Sequence, residues 1–348
     1  MKILFLELHT SSLGHLVRDS DLILRRNALN NASLEWYQKT YLVLYARNSI
    51  ANQAFWTLIK QNYFVVPRYI AHPIHRILRN ISRRYSNLSD LQSEVSLSAL
   101  GVAQQEKIPL MQMNMNSNSS RILLDSLEIS KPYICLVIRD DGYDLSLGNN
   151  DIDELSYRNT PAKYFSNAVI SLLEQGFNVI RMGRHSRTEI PEVKSPGYCD
   201  YSLRNASHSD MNDLLLFNEC EFVITTGSGP DEIGSFFRKN IYRVNLGPIN
   251  NIVEAPIYPV TLLSDYVSLA SSRKLSIADI QSPDIQLLSA SQLNQLGISI
   301  MPKSAEAIDA FFNLICLIEK QGGMGHESKI HDFALSFGYS LVGKNMLY

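Results

Sequence analysis

Short apolar runs that alternate with helical patterns restrict the fold of this chain more than any other feature. In the second half of the sequence these runs cover residues 133–138, 177–182, 221–226 and 241–246. Between them, Thr160, Pro161 and Ser209 are typical of helix starts, and Gly176 of a helix end. Strands that alternate with helices form parallel sheets covered on both faces. We therefore predict an α/β fold.

The first part of the chain repeats this pattern less clearly. Residues 2–8 predict a buried strand, followed by a turn and a helix to about Leu29, and residues 41–45 and 63–66 predict further strands. At 348 residues and 45% hydrophobic composition, the chain is long enough for two cores. We expect two Rossmann-like domains that face a central cleft, with boundaries at 1–128 and 129–304. We expect a helical segment at 305–348 that crosses back to the first domain, and a loop at 111–120.

Composition indicates where the protein works. The net charge of −2 provides no strong positive potential that would attract nucleic acid. The four cysteines are widely spaced, which excludes a paired-cysteine zinc site and favours a reducing compartment. We expect no secretory leader and no membrane-spanning segment, since the apolar runs are too short. The expected location is the cytoplasm.

A glycine turn at a strand end is the strongest local motif. Gly227, Ser228 and Gly229 follow the run 221–226, and Pro230 opens the next helix. Glycines let the backbone approach a ligand closely, and helix starts offer free amides, so a nucleotide diphosphate fits there. Asp231 and Glu232 would repel a diphosphate, and they either stabilise the helix end or bind hydroxyls of the donor sugar or ribose. The alternative is an ordinary tight turn.

Charged residues follow two other strands at the edge where parallel sheets bind ligands. Arg139, Asp140 and Asp141 come directly after residues 133–138, and Arg184 follows residues 177–182. Both arginines are candidates for binding diphosphate oxygens, with a surface Arg–Asp pair as the alternative for Arg139. Arg181, inside its strand, either meets an acidic neighbour or reaches a ligand.

The turn after the first strand carries a candidate general base. Gly14 and His15 lie where the first domain meets the expected cleft, and an imidazole there can take the proton of an acceptor hydroxyl. A solvated histidine at a helix start is the alternative. Asp140 and Asp141 are the other candidates for the base.

A basic segment without acidic residues lies between Trp36 and Ser89. After Pro73, apolar residues recur at helical spacing, and the arginines fall largely off that stripe: Arg76, Arg79, Arg83 and Arg84. This pattern predicts a basic amphipathic helix for an anionic membrane surface or a phosphorylated, lipid-linked acceptor. A helix packed into the core with a solvated basic face is the alternative.

Several sequence blocks resemble a family of bacterial glycosyltransferases with the GT-B fold. They are RDDGYD at 139–144, SYRN at 156–159, GFNVIRMGR at 176–184, SDMNDLLLFNECEFVITTGSG at 209–229, FFRKNIYRVN at 236–245 and LGHL at 13–16. The layout is more remotely similar to fucosyltransferases, which place an arginine after the first donor-domain strand on the diphosphate. That resemblance gives Arg139 this role. Asp140 stands where the second arginine of their motif would be, and this leaves the donor nucleotide open.

The resemblance implies transfer of a sugar from a nucleotide-diphosphate donor to a hydroxyl of a bacterial surface or envelope glycan. No D-x-D tripeptide directly follows a predicted strand, and we expect neither metal nor cofactor. Closure of the two domains would exclude water from the reaction. Two other classes stay open: an epimerase or hydrolase acting on the nucleotide sugar, and a non-catalytic subunit that binds nucleotide or glycan.

Overall fold

A computed structural model describes residues 2–82, 117–142, 145, 156–184, 186–204, 208–249, 260–320, 341–343 and 346–347. The first unit is a three-stranded sheet, ordered β1-β2-β3, with all pairs parallel. Its elements in chain order are β1 (Lys2–Leu8), α1 (Leu13–Asn31), β2 (Thr40–Ala46), α2 (Gln53–Asn62), β3 (Phe64–Val65) and α3 (Arg68–Ser82). The strands predicted in this part of the sequence are confirmed.

The second unit is built on an eight-stranded sheet, with the parallel core β9-β8-β7-β4-β5-β6. The helix α4 (Ser117–Ser126) precedes this sheet in the chain, followed by β4 (Tyr133–Val137), α5 (Ser166–Glu174), β5 (Asn178–Met182) and β6 (Tyr198–Asp200). The unit continues with α6 (Asp210–Glu219), β7 (Phe222–Thr225), α7 (Asp231–Phe236), β8 (Asn240–Leu246) and β9 (Val260–Leu263). The chain is therefore a mixed α/β protein with parallel sheets, as predicted.

The remaining elements extend this second unit. A separate two-stranded sheet pairs β10 (Asp265–Ser268) with β11 (Ile298–Met301), near the short helices α8 (Ile277–Ile280) and α9 (Ala290–Gln295). The helix α10 (Ala305–Lys320) follows, and β12 (Leu341–Gly343) and β13 (Met346–Leu347) add an antiparallel edge to the large sheet. One-turn 3-10 helices occupy Ala162–Phe165 and Tyr201–Leu203.

Two expectations differ from the structure. Residues 117–120, expected in a loop, start α4, and residues 111–116 lie outside the described residues. The helix α10 does not return to the first unit, because its apolar face, with Ile308, Phe311 and Phe312, packs on Phe165 and α5 of the second. The described strands of the 305–348 segment also belong to the large sheet.

The two units share one apolar layer. Side chains from α1 and α2 of the first unit and from α6 and α7 of the second form a continuous cluster with both sheets. Phe55 of α2 and Phe236 of α7 meet edge to face, with ring centroids 5.0 Å apart. The pairs α1–α7 and α2–α6 are the principal helix contacts across this layer. The large apolar area removed from water at this boundary favours a fixed arrangement of the two units.

A buried charge network crosses the same layer. Asp21 of α1 accepts hydrogen bonds from Arg238, which follows α7, at 2.6 Å and from Arg25 at 2.9 Å. All three side chains are almost fully buried. Both guanidiniums share this carboxylate as their counter-ion. The negative charge of Asp21 therefore compensates two buried positive charges at the boundary of the two units.

Replacing Asp21 with asparagine should destabilise the protein by about 3 kcal/mol, since the change removes the negative charge shared by two buried guanidiniums. Urea unfolding followed by circular dichroism measures the effect. The matched control is Asp125→Asn, which breaks the exposed i to i+4 pair of Asp125 with Arg121. Equal unfolding midpoints for the two variants would contradict the role given to Asp21.

Candidate functional site

The carboxyl ends of β4, β5 and β7 lie side by side, because β4 pairs with both of the other strands. This adjacency brings the loop after β4 onto the loop after β7. The backbone amide of Arg139 donates to the hydroxyl oxygen of Thr226 at 2.8 Å. Arg139 therefore lies beside the glycine turn of Gly227, Ser228 and Gly229, as the sequence predicts.

The glycine turn is held together largely by its own hydrogen bonds. The amide of Gly227 donates to Oγ1 of Thr225 at 3.0 Å, and the amide of Ser228 donates to Oδ2 of Asp231 at 3.3 Å. A positive φ of 80° at Gly227 explains why glycine stands there. Two of the amides expected to bind a diphosphate are thus engaged within the turn. The following helix, α7, is only six residues long.

Asp231 has an internal role at the helix start, which was one of the two alternatives left open for it. Its carboxylate is buried and also accepts from the hydroxyl of Thr225 at 3.0 Å. Burial raises the pKa of Asp231, while the positive charge of Arg243 acts to lower it. The contacts of this carboxylate fix the glycine turn to the start of α7.

Arg184 is occupied by acidic partners rather than turned toward the glycine turn. Its Nη2 donates to Asp210 and to Asp213 of α6, each at 2.6 Å. Although burial opposes it, these two carboxylates raise the pKa of Arg184. Asp210 in turn accepts from the amide of Gln53 at 2.6 Å, at the start of α2. In this arrangement Arg184 joins the two units, and a role in diphosphate binding would require it to leave both aspartates.

The acidic pair after β4 also has partners. Asp140 accepts from the amides of Gly142 at 3.0 Å and Arg187 at 2.9 Å, and Asp141 pairs with the Arg187 side chain at 3.3 Å. These contacts shape the loop and leave Asp140 and Asp141 weaker candidates for the base. Arg181 also meets an acidic neighbour, Asp200, at 3.0 Å, which was one of the two alternatives left open for it.

Arg158 is a site residue that reasoning from charge and spacing did not single out. Its Nη2 donates to the carbonyl oxygen of Gly227 at 2.6 Å. In the sequence analysis, Arg158 occurs only within the SYRN block, which was one of the matches that carried the family resemblance. Arg158 lies far from the glycine turn in sequence and outside any strand, so no periodic pattern marks it.

Residues 9–15, which comprise the connection after β1 and the first residues of α1, meet the glycine turn directly. We call these residues the histidine turn. A Cβ added to Gly14 would lie 3.2 Å from Cα of Gly229, and one added to Gly229 would lie 3.1 Å from the backbone nitrogen of Gly14. Such distances are tight for any side chain, so the two turns pack backbone to backbone. The structure therefore places Gly14 and His15 next to the strand ends of the second unit.

His15 is surrounded by groups from its own unit. Its Nδ1 lies 3.2 Å from Oδ2 of Asp19 and 3.3 Å from Nη2 of Arg18. The ring of His9 packs edge-on against it, with centroids 4.7 Å apart. About half of the His15 side chain is exposed, so the imidazole is both held in place and open to solvent on one side.

Glu232 lies under the contact between the two turns. Its Cγ is 4.0 Å from a Cβ built on Gly14, and its Oε2 is buried with no hydrogen-bond partner in the described part of the chain. Burial, followed by the negative charge of Asp231, raises the pKa of Glu232 to about 7, against opposing effects from Arg243 and Arg18. Unlike Asp231, this carboxyl has an oxygen that accepts no hydrogen bond within the described residues.

The basic helix is confirmed as far as it is described. The helix α3 includes Arg76, which is exposed, and Arg79, while Arg83 and Arg84 lie outside the described residues. Its apolar residues are not buried in the core: Ile74, Ile77 and Leu78 are exposed by 39%, 59% and 43%. The alternative of a stripe packed into the core therefore does not fit these residues.

Further observations concern the described residues only. All four cysteines are buried and free. Within the described ranges, no group of three or more candidate metal ligands occurs. None of the helices placed there has the length and apolar character needed to cross a membrane.

Comparisons with known proteins give structural likeness alone. No family model and no curated protein matches the sequence. The E. coli ADP-heptose lps heptosyltransferase II aligns with a TM-score of 0.45 and 11% identity, over 76% of this chain and 90% of that chain. A glycosyl transferase family 9 protein from Veillonella parvula DSM 2008 aligns with a TM-score of 0.38 and 10% identity, over 70% of this chain and 80% of that chain.

A third structure, the iron-containing dodecameric glycosyltransferase TibC from enterotoxigenic E. coli H10407, aligns at a TM-score of 0.39 and 13% identity, over 74% of this chain and 61% of that chain. At such identities and scores, none of these likenesses assigns an activity to this chain. The remoter resemblance to fucosyltransferases stays a prediction.

The carboxyl of Glu232 makes a testable contribution to stability. In the unfolded chain it titrates near its ordinary value of 4.5, and in the folded protein near 7. The unfolded state therefore releases its proton first, and stability falls as pH rises from about 4.5 to about 7. Glu232→Gln keeps the shape without the titration, so the loss of thermal stability between about pH 5 and pH 8 should shrink.

Differential scanning calorimetry at the two pH values measures this change. Glu306→Gln, at an exposed position in the first turn of α10, is the matched control. If the Glu232 variant keeps the full pH dependence of the wild type, the carboxyl does not hold its proton as described.

Proposed function

We propose that this protein is a glycosyltransferase that moves a sugar from a nucleotide-diphosphate donor to a hydroxyl of a bacterial surface or envelope glycan, without a metal ion. One observation carries the proposal. The histidine turn of the first unit packs on Gly229 of the glycine turn, and the backbone of Arg139 is bonded to Thr226, which directly precedes that turn. A candidate base and a candidate cation for the leaving group thus come together at the strand ends, where open parallel sheets bind ligands.

The donor diphosphate needs positive charge while it leaves. We assign this role to Arg139, with Arg158 beside it and the glycine turn of Gly227, Ser228 and Gly229 as the wall against which the diphosphate lies. Arginine binds two phosphate oxygens at once and keeps its charge. Fixed cations aimed at the developing charge stabilise the transition state at no cost of reorganisation. Arg184 is the weaker candidate, since it would have to leave Asp210 and Asp213.

The acceptor must lose a proton in the same step. In our proposal Nε2 of His15 takes the hydroxyl proton, and the acceptor oxygen forms a bond to the anomeric carbon. The bond from that carbon to the phosphate oxygen breaks, and its electron pair leaves with the nucleoside diphosphate. Glu232 binds a hydroxyl of the donor sugar or ribose with its unpartnered oxygen.

A thermal-shift panel of nucleotides and sugar nucleotides is the first test. Ligands that bind only the native state raise the melting temperature, so the panel identifies the donor class. ADP-heptose belongs in this panel, because it is the donor bound in the structures of TibC and named for the E. coli heptosyltransferase. Absence of a shift with every sugar nucleotide would contradict the proposal.

Acceptor dependence then separates the remaining classes. A nucleotide-sugar epimerase or hydrolase forms product from the donor alone. A non-catalytic subunit binds the donor and gives no turnover with any acceptor. Product that appears only when both donor and acceptor are present supports the transferase.

We further propose that the first unit rests on the anionic inner face of the cytoplasmic membrane, where a lipid-linked acceptor would be presented. The exposed apolar residues of α3 and the arginines of the same segment support this placement. Other exposed aromatic rings occur on the same unit, namely Trp36, Tyr37, Phe64 and Tyr69. Interfacial helices combine such an apolar face with a basic one.

Arg139→Ala should lower kcat/KM by about 30-fold or more, equivalent to about 2 kcal/mol of transition-state stabilisation. Steady-state kinetics with the donor found in the panel measures the loss. Arg273→Ala, which removes a largely exposed guanidinium elsewhere in the second unit, is the control. Unchanged turnover in a folded Arg139→Ala protein would rule out the role assigned to Arg139.

An Arg79/Arg83/Arg84→Ala variant should bind anionic vesicles about 100-fold more weakly, since each arginine near a charged bilayer contributes about 1 kcal/mol. Sedimentation with phosphatidylglycerol vesicles measures binding, and pure phosphatidylcholine vesicles show the part that does not depend on lipid charge. An alanine variant at Arg121, Arg204 and Arg273 matches the loss of charge outside the segment. Equal binding by the two triple variants would count against a membrane-facing α3.

A further inference from the structure

The contacts of His15 allow two positions for the proton of its neutral ring, Nδ1 and Nε2. Its Nδ1 lies within hydrogen-bond distance of both Asp19 and Arg18, at 3.2 and 3.3 Å. A guanidinium only donates and a carboxylate only accepts, so one imidazole nitrogen cannot satisfy both. If Arg18 donates to Nδ1, the proton of the neutral ring sits on Nε2. If Nδ1 donates to Asp19, Nε2 carries the lone pair.

We infer that Asp19 is a positioning residue for His15: it accepts the Nδ1 proton, fixes the ring, and leaves Nε2 as the nitrogen that can take a proton. This inference rests on the proposed function for its catalytic meaning. It concerns Asp19, which lies one helical turn after His15 on α1 and was not among the residues that the sequence singled out.

The arrangement of Asp19 supports this choice. Its Oδ1 accepts from Nε of Arg18 at 3.3 Å, and its Oδ2 faces Nδ1 of His15. Each carboxylate oxygen then has one donor. The side chain of Asp19 is 22% exposed and that of Arg18 is 41% exposed. The arginine therefore has more freedom to turn its remaining donors to water, whereas the carboxylate stays against the ring.

The groups around His15 and Asp19 favour the same state, in which Nδ1 of His15 carries the proton. The ring of His9 packs against His15 and limits its rotation. Glu232 faces Arg18 and Asp19 from the second unit, beside Asp231 and Arg243. A carboxylate behind an imidazole holds the reactive tautomer and stabilises the imidazolium that forms when the proton is taken.

The catalytic test is Asp19→Asn. We expect kcat to fall at least about tenfold with little change in KM, because proton transfer is weakened while substrate contacts remain. The acid side of the pH–rate profile should move as well, which a purely structural loss would not cause. In a His15→Ala background the Asp19→Asn change should have no further effect, since Asp19 acts through His15. Asp125→Asn, in a matched exposed i to i+4 pair on α4, should keep the wild-type rate.

A second readout does not need activity. In protein labelled with ¹⁵N-histidine, the ring nitrogen shifts report which nitrogen carries the proton, and comparison with a His15→Gln protein assigns the signals among the eight histidines. We expect the Nδ1–H tautomer in the wild type and in Arg18→Ala, and a shift toward Nε2–H in Asp19→Asn.

The two readouts separate the failure of this inference from the failure of the proposed function. Absence of transfer with every donor and acceptor overturns the function, while the tautomer still decides whether Asp19 orients His15. An Nε2–H tautomer in the wild type that changes only in Arg18→Ala overturns the inference. A normal rate in Asp19→Asn overturns it as well, whatever the tautomer.

Discussion

Burial of apolar surface between the two sheets is the constraint on which the rest of the structure depends. The helices α1, α2, α6 and α7 form one continuous layer, and the edge-to-face pair of Phe55 and Phe236 lies within it. Because this layer is shared, the position of the histidine turn is set by packing rather than by a flexible linker. The backbone contact of Gly14 with Gly229 follows from it, since only residues without side chains allow the turns to approach so closely.

Charge pairing at the same boundary decides which side chains remain for chemistry. Arg184 and Arg238 each bind aspartates close to the shared layer, and Asp231 is used by the glycine turn. The buried ion pairs offset the cost of removing their partners from water only while both members are present. His15 and Glu232 lie at the same boundary, and each keeps a polar atom that these pairings do not consume. The proposed site is therefore smaller than the set of charged residues at the strand ends.

The fold was predicted from sequence because strands and helices leave local patterns. Apolar runs, the cap at Ser209 and the glycine at Gly176 located β4, α5, β5, α6, β7 and β8 within a few residues, whereas β6 and β9 to β13 were not predicted. The site was predicted less completely, since side-chain partners depend on tertiary contacts. The spacing that marked Arg184 as a rim cation contained no information on Asp210 and Asp213, and nothing local identified Arg158 as a partner of Gly227 or Asp21 as a partner of Arg238. The i to i+4 spacing of His15 and Asp19, in contrast, was a local signal.

The protonation of Glu232 and the contact between the two turns are thermodynamically linked. The pKa of this carboxyl is high because the packed turns keep water from one of its oxygens and because Asp231 lies beside it. Any movement that hydrates Glu232 would lower its pKa toward the ordinary value, so ionisation must favour that movement by the same free energy. A ligand hydroxyl that donates to the carboxylate supplies an alternative to water. That hydroxyl would reach the buried oxygen only when the contact of Gly14 with Gly229 opens, so binding at Glu232 and the closed contact would oppose each other.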